Sequence, residues 1–230
     1  MGKHIYLLNG NGSAGLTAHM EKVANSNVAQ GLTIEADTVT AAPPFVSNRA
    51  EATRAAAAIL DHVLARFART DLPPPDGVLL ACFGEPGLLT LRDVLDVPVV
   101  GMLEASAVTA MQLGHRFSIL TAGANWPDQL ADLLRVYGVA DRCRGIHPMQ
   151  PDSTSPDPEV WKPAMQADLV ALTARYPANI IILGGGFTAG RAAALTPPEG
   201  VRVLDCFLAS LAQLTGLIQL QQKEDQYVSS

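Results

Sequence analysis

Two stretches about a hundred residues apart share one shape, a buried-looking apolar strand that stops at a glycine-rich turn. The first is Leu79-Leu80-Ala81-Cys82-Phe83-Gly84-Glu85-Pro86-Gly87, and the second is Ile180-Ile181-Ile182-Leu183-Gly184-Gly185-Gly186-Phe187-Thr188-Ala189-Gly190. Overlaying them sets Val78–Gly84 on Ile181–Phe187, and at a similar offset Val97–Met102 falls on Val201–Cys206. Any two buried strands resemble each other to a degree, but the agreement of two offsets constrains the chain to two similar halves. The first turn carries a thiol, Cys82, and the second has glycine where the matching thiol would fall.

Strand-like and helix-like segments alternate from end to end, the order that predicts parallel sheets with helices on both faces. His4–Leu8 reads as a strand entering the polar turn Asn9–Ser13, and Leu16, Met20, Val23 and Ala24 then recur at helical spacing. Leu32–Val39, Gly77–Ala81 and Val97–Met102 are further strands, with a long alanine-rich helix over Glu51–Arg69 and a short one over Leu88–Leu95. In the second half, strand Arg116–Thr121 ends in a small polar turn, and helix Pro127–Tyr137 is closed by Gly138. A short strand within Asp141–Met149, a Pro/Ser-rich loop over Gln150–Pro158 and helix Val160–Tyr176 follow, and the last helix, Leu208–Leu220, is expected to pack back on the first half. The predicted fold is α/β, with two pseudosymmetric doubly wound parallel-sheet halves facing each other across a central cleft. Residues 1–97 plus 206–230 form the half carrying Cys82, and residues 98–205 the half carrying Gly185. Open parallel sheets bind ligands beyond the carboxyl ends of their strands, so both turns are expected to wall one cleft.

Composition narrows the partner. Charged residues make up 17% of the 230 and the net charge is −6, without the clustered Lys and Arg that nucleic acid requires. A small-molecule substrate is expected, with no nucleic acid and no membrane: the first residues lack the apolar core of a secretory signal, and no apolar run reaches membrane-spanning length. Cys82, Cys143 and Cys206 are odd in number and lack C-x-x-C spacing, which suggests neither a disulfide framework nor a zinc site and fits a reducing cytoplasm.

The chain resembles the aspartate/glutamate/hydantoin racemase superfamily, and within it the hydantoin and allantoin racemase branch. The resemblance rests on Leu8-Asn9-Gly10-Asn11-Gly12-Ser13, similar to that family's Asn-Pro-Asn-Thr turn, and on Ala81–Gly87, similar to its Ala-Cys-Phe-Gly-Asp-Pro-Gly motif. Pro98–Gly101 through Glu104-Ala105, Arg116-Phe117-Ser118, and Tyr137-Gly138 through Arg142–Gly145 extend it over nearly the whole chain. The family's second thiol motif, Leu-Gly-Cys-Ala-Gly-Met, stands here as Leu183-Gly184-Gly185-Gly186-Phe187-Thr188. The resemblance implies a cofactor-independent isomerase with no metal that tends to form homo-oligomers. One thiolate would take the proton from a carbon next to a carbonyl, and the opposite thiol would return one to the other face. It further implies Cys82 as the acid or base, Asn11 as a ligand of substrate polar groups, Phe83 and Gly84 as a backbone anion site, and Ser47 as the remnant of a serine loop. Thr121, Gly186 and Phe187 are expected to line the site from the second half.

Gly185 has no ionisable side chain, so a two-thiol mechanism lacks one partner. Three readings follow: a racemase or epimerase in which water or another group replaces the missing thiol, a single-thiol decarboxylase of arylmalonate type, and a binding protein on the same scaffold. Asn9 and Asn11 are read as binding residues in preference to turn formers because they stand at a strand end. Cys143 and Cys206 are read as ordinary packed or surface thiols, His147 as a loop residue, and Glu104 as a carboxylate at a helix start.

Overall fold

The computed structural model describes residues 3–228, with side-chain surroundings through residue 221. It holds two four-stranded parallel sheets of identical topology. Strands β1 (Lys3–Asn9), β2 (Leu32–Thr38), β3 (Gly77–Leu80) and β4 (Val99–Gly101) are ordered β2-β1-β3-β4. Strands β5 (Phe117–Thr121), β6 (Cys143–Pro148), β7 (Ile180–Gly184) and β8 (Arg202–Asp205) are ordered β6-β5-β7-β8. In each sheet the order reverses between the first and third strands, which opens a crevice at their carboxyl ends. The helices are α1 (Ala14–Asn27), α2 (Arg49–Phe67), α3 (Leu88–Val94), α4 (Met102–Leu113), α5 (Trp126–Val136), α6 (Pro158–Arg175) and α7 (Cys206–Val228). Among the described residues no helix is long and apolar enough to cross a membrane.

Strand residues alternate between two cores, as the two-residue period of a pleated strand demands. Ile5, Leu7 and Leu79 of the first sheet join Phe117, Ile119, Ile180 and Ile182 of the second in one central core filled by α1, α4, α5 and α7. Tyr6, Leu8, Val78 and Leu80 face the other way, onto Ile59 and Val63 of α2 and Leu88 and Leu91 of α3. Leu120, Ile181 and Leu183 face Trp161, Met165, Leu169 and Leu172 of α6. Both faces of each sheet are covered, so its inner strands read as unbroken apolar runs.

Two details depart from the sequence reading. Strand β4 pairs with β3, Val78 opposite Val99 and Leu80 opposite Gly101, so the first sheet extends through Gly101 and is not bounded at residue 97. Helix α4 was not predicted: the expected strand ran to Met102, and only Glu104 was read as marking a helix start. Met102, Leu103, Ala105, Ser106, Ala107 and Ala110 are all buried between the halves, leaving little of the polar face that identifies a helix in sequence.

The two halves share this central core. Phe207→Ala, truncating a fully buried ring of α7, is expected to lower unfolding free energy by about 3–5 kcal/mol in urea titration. Leu220→Ala, on a half-exposed residue of the same helix, is expected to stay within about 0.5 kcal/mol.

Candidate active site

A cavity of about 440 Å³ lies between the carboxyl ends of the two sheets. The turn after β3 supplies Cys82, Phe83 and Gly84, the turn after β7 supplies Gly185, Gly186 and Phe187, and the ends of β1 and β5 supply Asn11 and Thr121. Ser47 reaches it from the loop before α2. All nine residues singled out from sequence therefore meet at one place.

Cys82 is 8% exposed. Burial pushes its thiol up to about 11, while the backbone N–H groups of Gly84 and Glu85 face the sulfur and favour the thiolate. Within this turn the Glu85 N–H donates to the Cys82 carbonyl at 2.9 Å. Among the described residues the Phe83 N–H donates to no carbonyl or side-chain oxygen, which leaves it to receive an anionic oxygen.

Aromatic rings close the cavity by lying on bare glycine backbone. A Cβ at Gly184 would fall 2.4 Å from Phe83 Cε1, and one at Gly84 would fall 2.1 Å from Trp126 Cη2. The first half thus seats a ring on the second half's turn, and the second half seats one on the first half's turn. At Gly185, φ is +126°, and a Cβ would lie 2.6 Å from Phe187 Cε1. The volume a side chain at position 185 would need is filled by the Phe187 ring, in a backbone conformation that L side chains rarely adopt.

Polar groups in the site are partly committed. Asn11 Oδ1 accepts from Asn9 Nδ2 at 3.1 Å and from the Ser13 N–H at 3.0 Å. Its Nδ2 makes no hydrogen bond among the described residues and remains as a donor for a ligand. Asn9 is fully buried and lies outside the lining: its Oδ1 accepts the Asn11 N–H and its Nδ2 reaches the Thr17 hydroxyl, so it builds the turn and does not bind at the cavity. Ser47 donates both its hydroxyl and its N–H to Glu51 at 2.7 Å, capping α2, which leaves only its oxygen to accept.

Of the other candidates, His147 sits in β6 opposite Leu120 and away from the cavity. Glu104 stands in the first turn of α4 and pairs with Arg92. Cys206 is fully buried at the start of α7, its thiol 3.9 Å from the Gly185 carbonyl. Among the described residues no group of three or more His, Cys, Asp or Glu side chains converges as a metal site would.

The sequence reading missed several lining residues, above all Trp126, Phe45 and Thr154. Trp126 could have been found as the aromatic residue that opens the helix after the turn at the end of β5. Phe45 is 69% exposed at the mouth, in a loop whose sequence carries no regular pattern. Thr154 comes from a 3₁₀ turn, Pro151–Thr154, fixed by Asp168, which accepts from the Gln150 N–H and the Ser153 hydroxyl. Arg191 holds the same segment, donating to the Ser153 and Ser155 carbonyls while stacking on Trp161 at 4.5 Å.

Comparison with known proteins places this geometry. The family model for Asp/Glu/hydantoin racemases matches residues 5–214. A hydantoin racemase of Rhizobium meliloti is 25% identical over 217 residues, 94% of this chain and 88% of the relative. The structure of an allantoin racemase from Klebsiella pneumoniae superposes with a TM-score of 0.86 at 26% identity, covering 95% of this chain and 89% of that one. An allantoin racemase from Pseudomonas fluorescens also gives 0.86, at 29% identity over 95% and 92%. With the matched model spanning both sheets and the cavity between them, the chain belongs to the Asp/Glu/hydantoin racemase family.

Proposed function

We propose that the protein is a cofactor-independent isomerase of racemase type. In this reading Cys82 moves a proton at a carbon next to a carbonyl, in a 5-substituted hydantoin or a similar small carbon acid. The observation that carries it is that, among the described residues lining the cavity, Cys82 is the one ionisable side chain. The similarity to hydantoin and allantoin racemases supports the reaction class and the ring-type substrate.

The chemistry follows from what faces the carbon. Sulfur addresses one side, and the enolate oxygen formed by proton loss is held by the free N–H group of Phe83, with Asn11 Nδ2 within the same lining. On the other side stand Phe187 and the bare backbone of Gly185, so inversion needs a proton from water. Exchange at the Cys82 face therefore outruns inversion. No Lys, Arg or His lines the cavity among the described residues, which favours an uncharged ring over an amino acid with a free carboxylate.

A second reading, decarboxylation, is favoured by the protonation of Cys82. With burial pushing its thiol up to about 11, the sulfur carries its proton at neutral pH and is poised as a donor to an enolate. Loss of carbon dioxide creates that enolate without a base. The absence of a lining cation ranks this reading second, since a malonate brings two charges into the cavity.

Deuterium uptake at the α-carbon of 5-substituted hydantoins, followed by NMR in D₂O, tests the main reading. Cys82→Ala is expected to slow it by about 10²–10⁴-fold; unchanged uptake contradicts the role of the thiol, and carbon dioxide release from disubstituted malonates in its place selects the lyase. Gly185→Cys alone is expected to leave inversion no faster, because the Phe187 ring occupies the volume the side chain would need. Combined with Phe187→Ala it is expected to raise inversion about tenfold or more, and equal rates for single and double variants would contradict the steric account.

A further inference from the structure

Glu85, three residues past the working thiol, is 4% exposed and is the one non-glycine residue with positive φ, +49°, among the described residues. Nothing in its exposed-looking sequence context, between Gly84 and Pro86, marks it as buried. Its carboxyl is fully engaged by elements beyond its own turn. Oε1 accepts the N–H groups of Leu103 at 2.6 Å and Glu104 at 3.0 Å, the open end of α4, and Oε2 meets the Tyr137 hydroxyl at 2.5 Å, just past α5. The seat is shaped for it: a Cβ at Gly101 would collide with Oε1 at 2.2 Å.

We propose that Glu85 is the positioning residue of the Cys82 turn, anchoring the thiol to α4 and Tyr137 and linking the proton on sulfur to the proton on a second buried acid. The backbone side of the link is direct, since the Glu85 N–H both closes the turn on the Cys82 carbonyl and faces the sulfur. The side-chain side is electrostatic. Four groups bear on the carboxyl: Glu104 opposes its ionisation, the Tyr137 hydroxyl favours it, Arg92 pairs with Glu104 nearby, and Cys82 shares the turn. Burial is the largest influence and pushes Glu85 up to about 7. When neutral, Glu85 keeps its proton on Oε2, and the Tyr137 hydroxyl turns to accept it.

Two consequences have definite signs. Below about pH 7 Glu85 is neutral and does not oppose the thiolate; above it the carboxylate is charged and does. Thiolate formation at Cys82 therefore rises with pH, flattens near 7, and rises again on a displaced line. For stability, the folded chain holds this proton up to about 7 while the unfolded chain releases it near the ordinary 4.5, so this residue's contribution declines as pH climbs through that window.

The proposal deepens the single-thiol reading, on which its functional weight rests, but its test needs no substrate. The rate of iodoacetamide alkylation at Cys82 is followed from pH 5.5 to 9.5, by mass spectrometry of the peptide that carries it, in the intact protein and in Glu85→Gln. The intact protein is expected to show the shoulder near pH 7. Glu85→Gln is expected to give a single unbroken rise and about threefold or faster alkylation at pH 8.5, since removing the opposing charge raises the thiolate population more than it lowers thiolate nucleophilicity. A folded Glu85→Gln with the same shouldered profile as the intact protein, or an intact protein with no shoulder, overturns the coupling. If Glu85→Gln does not fold, Tyr137→Phe decides: losing a donor to the carboxylate must move the shoulder to higher pH, and an unmoved shoulder overturns the proposal. A coupled profile in a protein that fails to exchange hydantoins would retain Glu85's role and remove only the substrate assignment.

Discussion

The seating of Phe83 on Gly184 and of Trp126 on Gly84 is the contact on which the rest of the site depends. A ring can lie this close to backbone only where no Cβ intervenes, and each ring comes from the half opposite its glycine. The interlock fixes how near the turns after β3 and β7 approach. It thereby sets the width of the cavity, buries Cys82 and fills much of the wall with carbon. A thiol buried in this way loses the hydration that would ionise it, and only backbone N–H groups restore part of that loss.

Buried carboxylates tie both turns to the helices behind them. In the first half, Glu85 sits on the turn and reaches the open end of α4. In the second, Asp205 sits at the start of α7, accepts the Phe207 and Leu208 N–H groups, and reaches back to the Gly190 N–H in the segment after β7. The same bond pattern is built from opposite ends. Both carboxyls are raised by burial and both satisfy helix N–H groups that would otherwise be orphaned inside the protein. The two-fold likeness of the halves thus extends beyond strand order to how each turn is braced, and it breaks at the pair Cys82 and Gly185, where one half has a thiol and the other bare backbone.

Much of this was legible in the chain because covered parallel sheets write themselves as apolar runs ending in glycine turns. Cys82 and Gly185 could be aligned with each other in the sequence, Asn11 followed from the resemblance of its turn to the family's, and Thr121 from its place at the end of β5. What was not legible depended on contacts between distant segments. Phe187 reads as an ordinary neighbour of Gly185 until its ring is found in the volume that a side chain at position 185 would take. Asn9 and Asn11 carry the same side chain at the same strand end, and only burial tells the turn former from the one with a free amide. Helix α4 hid because it is buried between the halves, and Glu85 because a charged residue between Gly and Pro ordinarily belongs to solvent.

In the proposed reading, proton transfer has one face. Following a single hydantoin enantiomer in D₂O, with deuterium content read by NMR and configuration by chiral chromatography in the same samples, measures it directly. The account predicts that deuterium accumulates in the starting enantiomer well before the opposite one forms. Inversion that keeps pace with exchange from the first time point would mean that a second proton carrier stands opposite Cys82, and would contradict it.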